Sequence, residues 1–347
     1  MTLVEDFRSQ ARACAELGSP MYAELLDRAA DDLDTGGVTA SVLAGHEHDP
    51  GPSALALRLA GSVHRLVLEG RAEALAAFYP SVGGAWEVRG GWAAFADLLG
   101  SHRDEVRSWL ASPPQTNEVG RAGALMGGLL RIGESSRLPV RLFEIGSSGG
   151  LNLNVDRFGY TDDQDRLLGD EAAELVLRGA WRGRALQPWS DLEVVERRGS
   201  DVMPVDVGTV EGRITLTSYV WPDQLDRHQR LAQALRVAAK HPVDVRRQDA
   251  VSFVREIELV EGTTTVLWHS VMWQYLSHAD QQAVTAQVQR LGADARASSP
   301  FAHLFLEPTR RTPDADHEFL VVLRIWPTGE RRILGRSVGH GIPTTWE

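Results

Sequence analysis

The stretch Val140-Arg-Leu-Phe-Glu-Ile-Gly-Ser-Ser-Gly-Gly150, continued by Leu151-Asn-Leu-Asn-Val155, decides how the rest of the chain is read. Val140 to Ile145 is an apolar run of strand character that carries an acid, Glu144, near its end. A turn made only of Gly and Ser follows, and then a helical pattern from Gly149 to Arg157. A parallel strand handing over to a helix start is where α/β proteins hold nucleotide-like ligands. Gly146 and Gly150 let backbone approach a ligand, and the N–H groups of Ser147 to Gly150 are expected to point outward there. A tight strand-to-helix turn with no ligand fits the same residues.

The chain on either side has two different rhythms. Residues 1–135 read as helices, with Ala, Leu, Glu and Arg at three- and four-residue spacing over 4–17, 21–33, 53–69, 72–78, 92–99 and 104–110. Gly36-Gly37, Asp49-Pro-Gly-Pro52 and Ser112-Pro-Pro114 break them apart. A last helix over 120–132 is so rich in small residues that it must pack closely on a neighbour. From Pro139 onward, short β-rich runs (140–145, 193–197, 243–247, 264–268, 302–306) alternate with helices (223–240, 251–259, 279–291). That alternation implies a parallel sheet. Two final runs, 318–326 and 331–338, flank a Pro-Thr-Gly-Glu turn and read as an antiparallel hairpin. Residues 158–192 fit neither rhythm and read as an insertion, with short strands around Leu175 and Leu177. The expected organisation is an all-α domain over 1–135 and an α/β domain with a mostly parallel sheet over 136–347.

Composition narrows the function. With 347 residues, 43% of them apolar, the chain can bury a large core. A net charge of -11, spread along the chain, argues against nucleic acid or an anionic membrane as partner, because both need clustered cations. A small-molecule substrate is the default. Lys240 is the sole lysine, which excludes pyridoxal-phosphate chemistry in practice, and the Arg excess reads as codon bias. Cys14, the sole cysteine, allows neither an intrachain disulfide nor a Cys-based metal site. The start, Met1-Thr-Leu-Val-Glu-Asp-Phe7, lacks the basic and apolar segments of a signal peptide, and a cytoplasmic location is expected. His46-Glu-His48-Asp49 suits a solvated turn better than a metal centre, so no metal is assigned.

Other residues join the Gly/Ser turn as candidates. Asp201 follows the second strand in Gly199-Ser-Asp and is a ligand acid or an ordinary turn residue. Asp249-Ala250 sits between a strand and a helix, where Asp249 contacts a ligand, caps the helix, or does both. His269 ends the strand run 264–268 and is a possible general base or a buried structural histidine. Trp273 and Tyr275 after it, and Tyr219 and Trp221 in Tyr-Val-Trp-Pro-Asp-Gln224, wall a substrate pocket or simply pack. Asp223 is placed to cap the long helix after it. Asn117, Glu118 and Arg121 on one helical turn converge on the pocket, Glu118 as an optional base, or form a surface cap and ion pair.

The spacing Glu144-x-Gly146-x-Ser148-x-Gly150 resembles the acid-x-Gly-x-Gly-x-Gly loop of class I S-adenosylmethionine (SAM) methyltransferases, with Ser148 in the place of one Gly. The closing hairpin adds to that likeness and disfavours an ordinary nicotinamide-dependent oxidoreductase. The segments Leu57-Arg-Leu-Ala-Gly-Ser-Val-His64, Phe78-Tyr-Pro-Ser81, Gln115-Thr-Asn-Glu118, Glu144 to Asn152 and Tyr219 to Gln224 resemble a bacterial family, domain of unknown function 2332. The methyltransferase resemblance implies a Rossmann-like core with a helical cap and SAM as cofactor. It assigns Glu144, Gly146, Ser147, Ser148 and Gly150 to the methionine end, Asp201 to the ribose, and Asp249 with Ala250 to the adenine. Methyl transfer to a small molecule is the activity it implies; a sensor or partner module that binds SAM or a nucleotide without turnover is the alternative.

Overall fold

The computed structural model describes residues 2–49 and 53–347; Met1 and Pro50 to Pro52, part of the break read at Asp49–Pro52, lie outside the described residues. The helices are α1 (Leu3–Glu16), α2 (Pro20–Asp34), α3 (Val38–Leu43), α4 (Leu55–Leu68), α5 (Glu73–Ala76) and α6 (Val88–Ser101). They continue with α7 (Arg103–Trp109), α8 (Ala122–Gly133), α9 (Val210–Ser218), α10 (Leu225–Lys240), α11 (Ala250–Arg255) and α12 (His278–Asp294). The strands are β1 (Val140–Ile145), β2 (Gly159–Asp162), β3 (Leu167–Leu168), β4 (Val176–Gly183), β5 (Val194–Asp201) and β6 (Asp244–Arg247). Then come β7 (Thr264–Ser270), β8 (Phe301–Arg310), β9 (His317–Trp326), β10 (Glu330–Ser337) and β11 (Thr344–Trp346). The chain divides into two compact units, Met1–Thr116 with Gly208–Gln229, and Asn117–Val207 with Arg230–Glu347.

The first unit is helical. The apolar residues of α1 and α2 recur every three or four positions, so Phe7, Ala11, Cys14, Tyr22, Leu25, Leu26 and Ala29 are all buried. Thr2 and Glu5 form a capping box at the start of α1. Ser19 caps α2 with Pro20 behind it. Asp223 does something the local pattern did not predict. Its carboxylate accepts the Ser19 hydroxyl at 2.6 Å and the Met21 N–H at 3.0 Å, so it reinforces the start of α2 from far along the chain. Gln224 donates to the Leu17 carbonyl at 2.7 Å beside it. Asp49 of the supposed solvated turn accepts from Arg58 at 2.9 Å and lies 3.1 Å from His46.

The second unit is built on an eleven-stranded, mostly parallel sheet in the order β3-β2-β4-β11-β10-β9-β8-β7-β1-β5-β6. β7 is buried along its whole length, which is why it reads as a continuous apolar run rather than an alternating one. Among the parallel strands β6-β5-β1-β7-β8 the chain order is 3-2-1-4-5, the order of doubly wound sheets. The expected hairpin is β9–β10, with Arg331 opposite Arg324. β8 and β9 form a second antiparallel pair before it. Residues 158–192 supply β2, β3 and β4, with Leu177 inside β4, and extend the sheet beyond β11.

Alternation across the strands sends neighbours to opposite faces. Phe143, Ile145, Leu267 and Phe301 pack with α11 and α12 on one face. α8 covers Leu304, which faces the other way; a Cβ on Gly128 would strike the Leu304 side chain, and one on Gly127 the Trp346 ring. The small residues of this helix are therefore there for close packing, as its composition implied. Among the described residues no helix is long and apolar enough to cross a membrane, and no group of three or more His, Cys, Asp or Glu is arranged to hold a metal ion.

One expected element takes a different form. The helix read over 149–157 is a seven-residue 3-10 segment, Leu151–Arg157, interrupted at Asn154 (φ -90°, ψ 23°). Side chains compete there with helical bonding: Asn152 donates to the Glu118 carbonyl at 3.3 Å, Asn154 to the His241 carbonyl at 3.0 Å, and Tyr160 to the Val155 carbonyl at 2.5 Å.

Candidate functional site

β1 and β7 are adjacent, yet from β1 the sheet grows through β5 on one side and from β7 through β8 on the other. That reversal is the point in a doubly wound sheet where a crevice opens beyond the carboxyl ends of the strands. Glu144 and the Gly/Ser turn stand at the end of β1, and His269 and Ser270 at the end of β7.

The turn is held by its own protein. Gly146, Ser148 and Gly150 all have positive φ, at +69°, +52° and +70°. Ser148 thus adopts the left-handed conformation that favours glycine, in the position where the methyltransferase loop has one. Asp201 secures it, accepting the Ser148 N–H at 2.9 Å, while the Val205 N–H donates to the Ser148 carbonyl at 3.1 Å. The Ser147 N–H donates to the Ser200 carbonyl at 3.0 Å, and the Gly150 N–H to the Ser147 carbonyl at 2.7 Å. The expectation that the amides of Ser147 to Gly150 point outward is corrected for three of them: Ser147, Ser148 and Gly150 have protein acceptors, supplied by the end of β5 and by the turn itself. Packing also demands the glycines. A Cβ on Gly146 would lie 2.9 Å from Met272, and one on Gly150 would lie 2.6 Å from Val245 of β6.

Glu144 is different, because it is not satisfied. It is 3% exposed and its Oε2 has no hydrogen-bond partner. Its register partner on β7 is Trp268, whose indole Nε1 is likewise buried without a partner of ordinary geometry. Burial pushes the Glu144 carboxyl up to about 8, against the pull of the Trp268 N–H and the Arg121 cation and with a push from Asp201. At neutral pH this acid is mostly protonated. Arg121 is itself 9% exposed and donates to the Gly339 carbonyl at 3.0 Å and the Ser270 carbonyl at 3.3 Å.

The other predicted residues near these strand ends have structural bonds of their own. Glu118 is buried and its carboxylate accepts the Gly120 N–H at 3.0 Å, opening a 3-10 turn over Val119–Arg121. Asn117 accepts the Leu151 N–H at 3.0 Å, which ties this turn to the one after β1. Asp201 also accepts the Met203 N–H at 2.8 Å, so its first duty is an Asp turn. Asp249 is the N-cap of α11, accepting the Ser252 N–H at 2.8 Å, and that backbone bond holds its carboxyl below the usual range. Ala250, buried, opens the same helix.

His269 is not brought together with Glu144. Odd and even positions of β7 face opposite ways, so His269 lies on the α12 side with Leu267, and Trp268 lies with Glu144. Both ring nitrogens are engaged: Nδ1 lies 2.8 Å from Glu307 Oε1 and Nε2 lies 3.0 Å from His303 Nε2. Trp273 stacks on its ring at 5.1 Å, and Tyr275 is 43% exposed. Burial holds the His303 imidazole far below its ordinary range, with the neighbouring His269 and Arg324 adding to the effect. Tyr219 and Trp221 belong to the helical unit. There Trp221 packs 6.1 Å from Tyr22 and under the Arg227 guanidinium, and the Tyr219 ring lies against Gly61.

Sequence reading missed Trp268, Asn152, His303 and Glu307. Glu307 left a trace, an acid directly after the apolar run ending at Leu306.

No curated protein matches the chain, and no solved structure does. One family model, described as an uncharacterized protein conserved in bacteria (DUF2332), matches residues 4–346. The chain belongs to that family.

Proposed function

We propose that the second unit is a class I methyltransferase-like domain that binds SAM beyond the ends of β1, β5 and β6 and transfers its methyl group to a small molecule. The observation that carries this reading is Glu144, a neutral buried carboxyl with an unpartnered oxygen at the switch point of the sheet. An orphaned buried polar atom is costly, and a ligand that donates to it removes the cost. The ammonium of SAM is such a donor. Arg121 offers a cation for its carboxylate, Asp201 an acceptor for ribose hydroxyls, and Asp249 with Ala250 the adenine end. When bound, SAM supplies a methyl group already activated on sulfonium sulfur. The protein's own part is then orientation and exclusion of water. The acidic composition supports a small acceptor over nucleic acid.

A second reading, binding without turnover, is favoured by one observation. His269 has both nitrogens engaged and faces away from Glu144, so it is not placed as a base beside the turn. Incubation with methyl-labelled SAM and a fractionated small-molecule extract separates the two readings. Label retained by the protein and passed to a small molecule supports transfer. Retention without passage supports the sensor, and no retention overturns both.

A further inference from the structure

We infer that Glu307 is the positioning residue of the switch point, acting on the turn after β1 through the segment that follows β7. This rests on the SAM reading for its ligand, though not for its mechanics. Glu307 is 4% exposed and its Oε1 takes three donors: His269 Nδ1 at 2.8 Å, the Met272 N–H at 3.1 Å and the Trp273 N–H at 3.3 Å. Its Oε2 is buried without a partner, so a buried carboxylate is committed to this one task.

The segment it holds is strained. Val271 has φ +49°, a left-handed conformation that a β-branched side chain strongly disfavours. Such a conformation persists only where its surroundings over-determine it. The Val271 N–H donating to the Leu306 carbonyl at 2.9 Å and the Glu307 bonds on the next two residues do so. His269 is fixed in turn, stacked between Trp273 at 5.1 Å and Phe305 at 5.2 Å, with Nε2 against His303.

What the strain achieves is the position of Met272. Its side chain lies so near Gly146 that a Cβ there would come within 2.9 Å of it. Met272 therefore walls the Gly146 turn, and Glu307 holds the segment that carries it in place. Without the carboxylate, three donors lose their acceptor, Val271 relaxes and Met272 leaves Gly146. Ligand binding then has to reorder the segment, which lowers affinity.

Glu307→Ala and Glu307→Gln test this, since the carbonyl oxygen of glutamine can take the place of Oε1. In Glu307→Ala, hydrogen exchange at the Met272 and Trp273 amides should accelerate at least tenfold, while amides of residues 302–306 in β8 keep their protection. The dissociation constant for SAM, measured well below the melting temperature, should rise at least tenfold. Glu307→Gln should stay near wild type in both. If Glu307→Ala does not fold, Met272→Ala serves: it keeps the Glu307 bonds, so exchange at residues 272 and 273 should hold while SAM binding weakens. Unchanged exchange in Glu307→Ala, an affinity within twofold of wild type, or a glutamine variant as loose as the alanine one would overturn the assignment. If wild-type protein binds no SAM, the functional reading fails, and exchange alone decides the role of Glu307.

Discussion

Glu144 on β1 and Trp268 on β7 are register partners across adjacent parallel strands, and each buries a polar atom without a hydrogen bond of ordinary geometry. The Trp268 N–H lies near enough to the Glu144 carboxyl to pull against its raised pKa. Both residues sit on interior strands of the sheet and are buried, where one unsatisfied group costs about 1–3 kcal/mol. Two side by side at a topological switch point form a site that stabilises the fold less than apolar residues would. The proposed function would account for that cost.

The first consequence is a pH dependence. Glu144 has its folded-state pKa raised from 4.5 to about 8, so the folded protein holds a proton that the unfolded chain releases. Its contribution is fully present below pH 4.5 and is lost as pH rises towards 8. Within that window the loss approaches roughly 1.4 kcal/mol per pH unit. Denaturant titrations of wild type and Glu144→Gln from pH 4 to 9 should therefore diverge, with the glutamine variant gaining on wild type as pH rises. Parallel curves would contradict the burial of a neutral carboxyl.

The helical unit should respond in the opposite sense. His64 is wholly buried, with Nδ1 on the Ser218 carbonyl at 3.1 Å and Nε2 at 2.8 Å from Ser81 Oγ. Burial, helped by neighbouring His228, lowers its pKa from 6.5 to about 3. The unfolded chain then binds a proton that the folded one refuses, so stability falls as pH drops from 6.5 towards 3. Glutamine keeps a donor and an acceptor but no titration. His64→Gln should flatten the acid limb by up to about 1.4 kcal/mol per pH unit. An unchanged slope would assign acid unfolding to other groups.

Close packing of α8 gives a prediction independent of any ligand. A Cβ at Gly127 would meet the ring of Trp346, and the strand carrying that ring, β11, pairs with both β10 and β4. Gly127→Ala should cost about 1–3 kcal/mol by overpacking, despite the better helix propensity of alanine. Thermal unfolding reads this directly, and a variant as stable as wild type would mean the helix can shift.

How much of this was legible in the sequence depended on the range of the interaction. β1 falls at the residues its apolar run marked, and β7 runs two residues past the predicted Trp268 because Ser270 still pairs with Leu306. The β9–β10 hairpin and the small-residue packing of α8 were likewise local signals. Asp223 was read as a local cap because nothing near it in sequence reveals that its partners are Ser19 and Met21. The 3-10 segment after Gly150 was read as a helix because apolar spacing is blind to Asn152 and Asn154 bonding elsewhere. His269 was legible as a strand-end histidine. Its facing followed from the register, and its occupation followed from Glu307 and His303 on a strand further along.

The most direct test of the account is calorimetric titration of the protein with SAM at pH 7, repeated in buffers of different ionisation enthalpy. Glu144 is mostly protonated there, and on the proposed reading the incoming ammonium would displace that proton. The account predicts micromolar binding with release of close to one proton, and weaker binding without release in Glu144→Gln. Absence of binding heat in every buffer would contradict it.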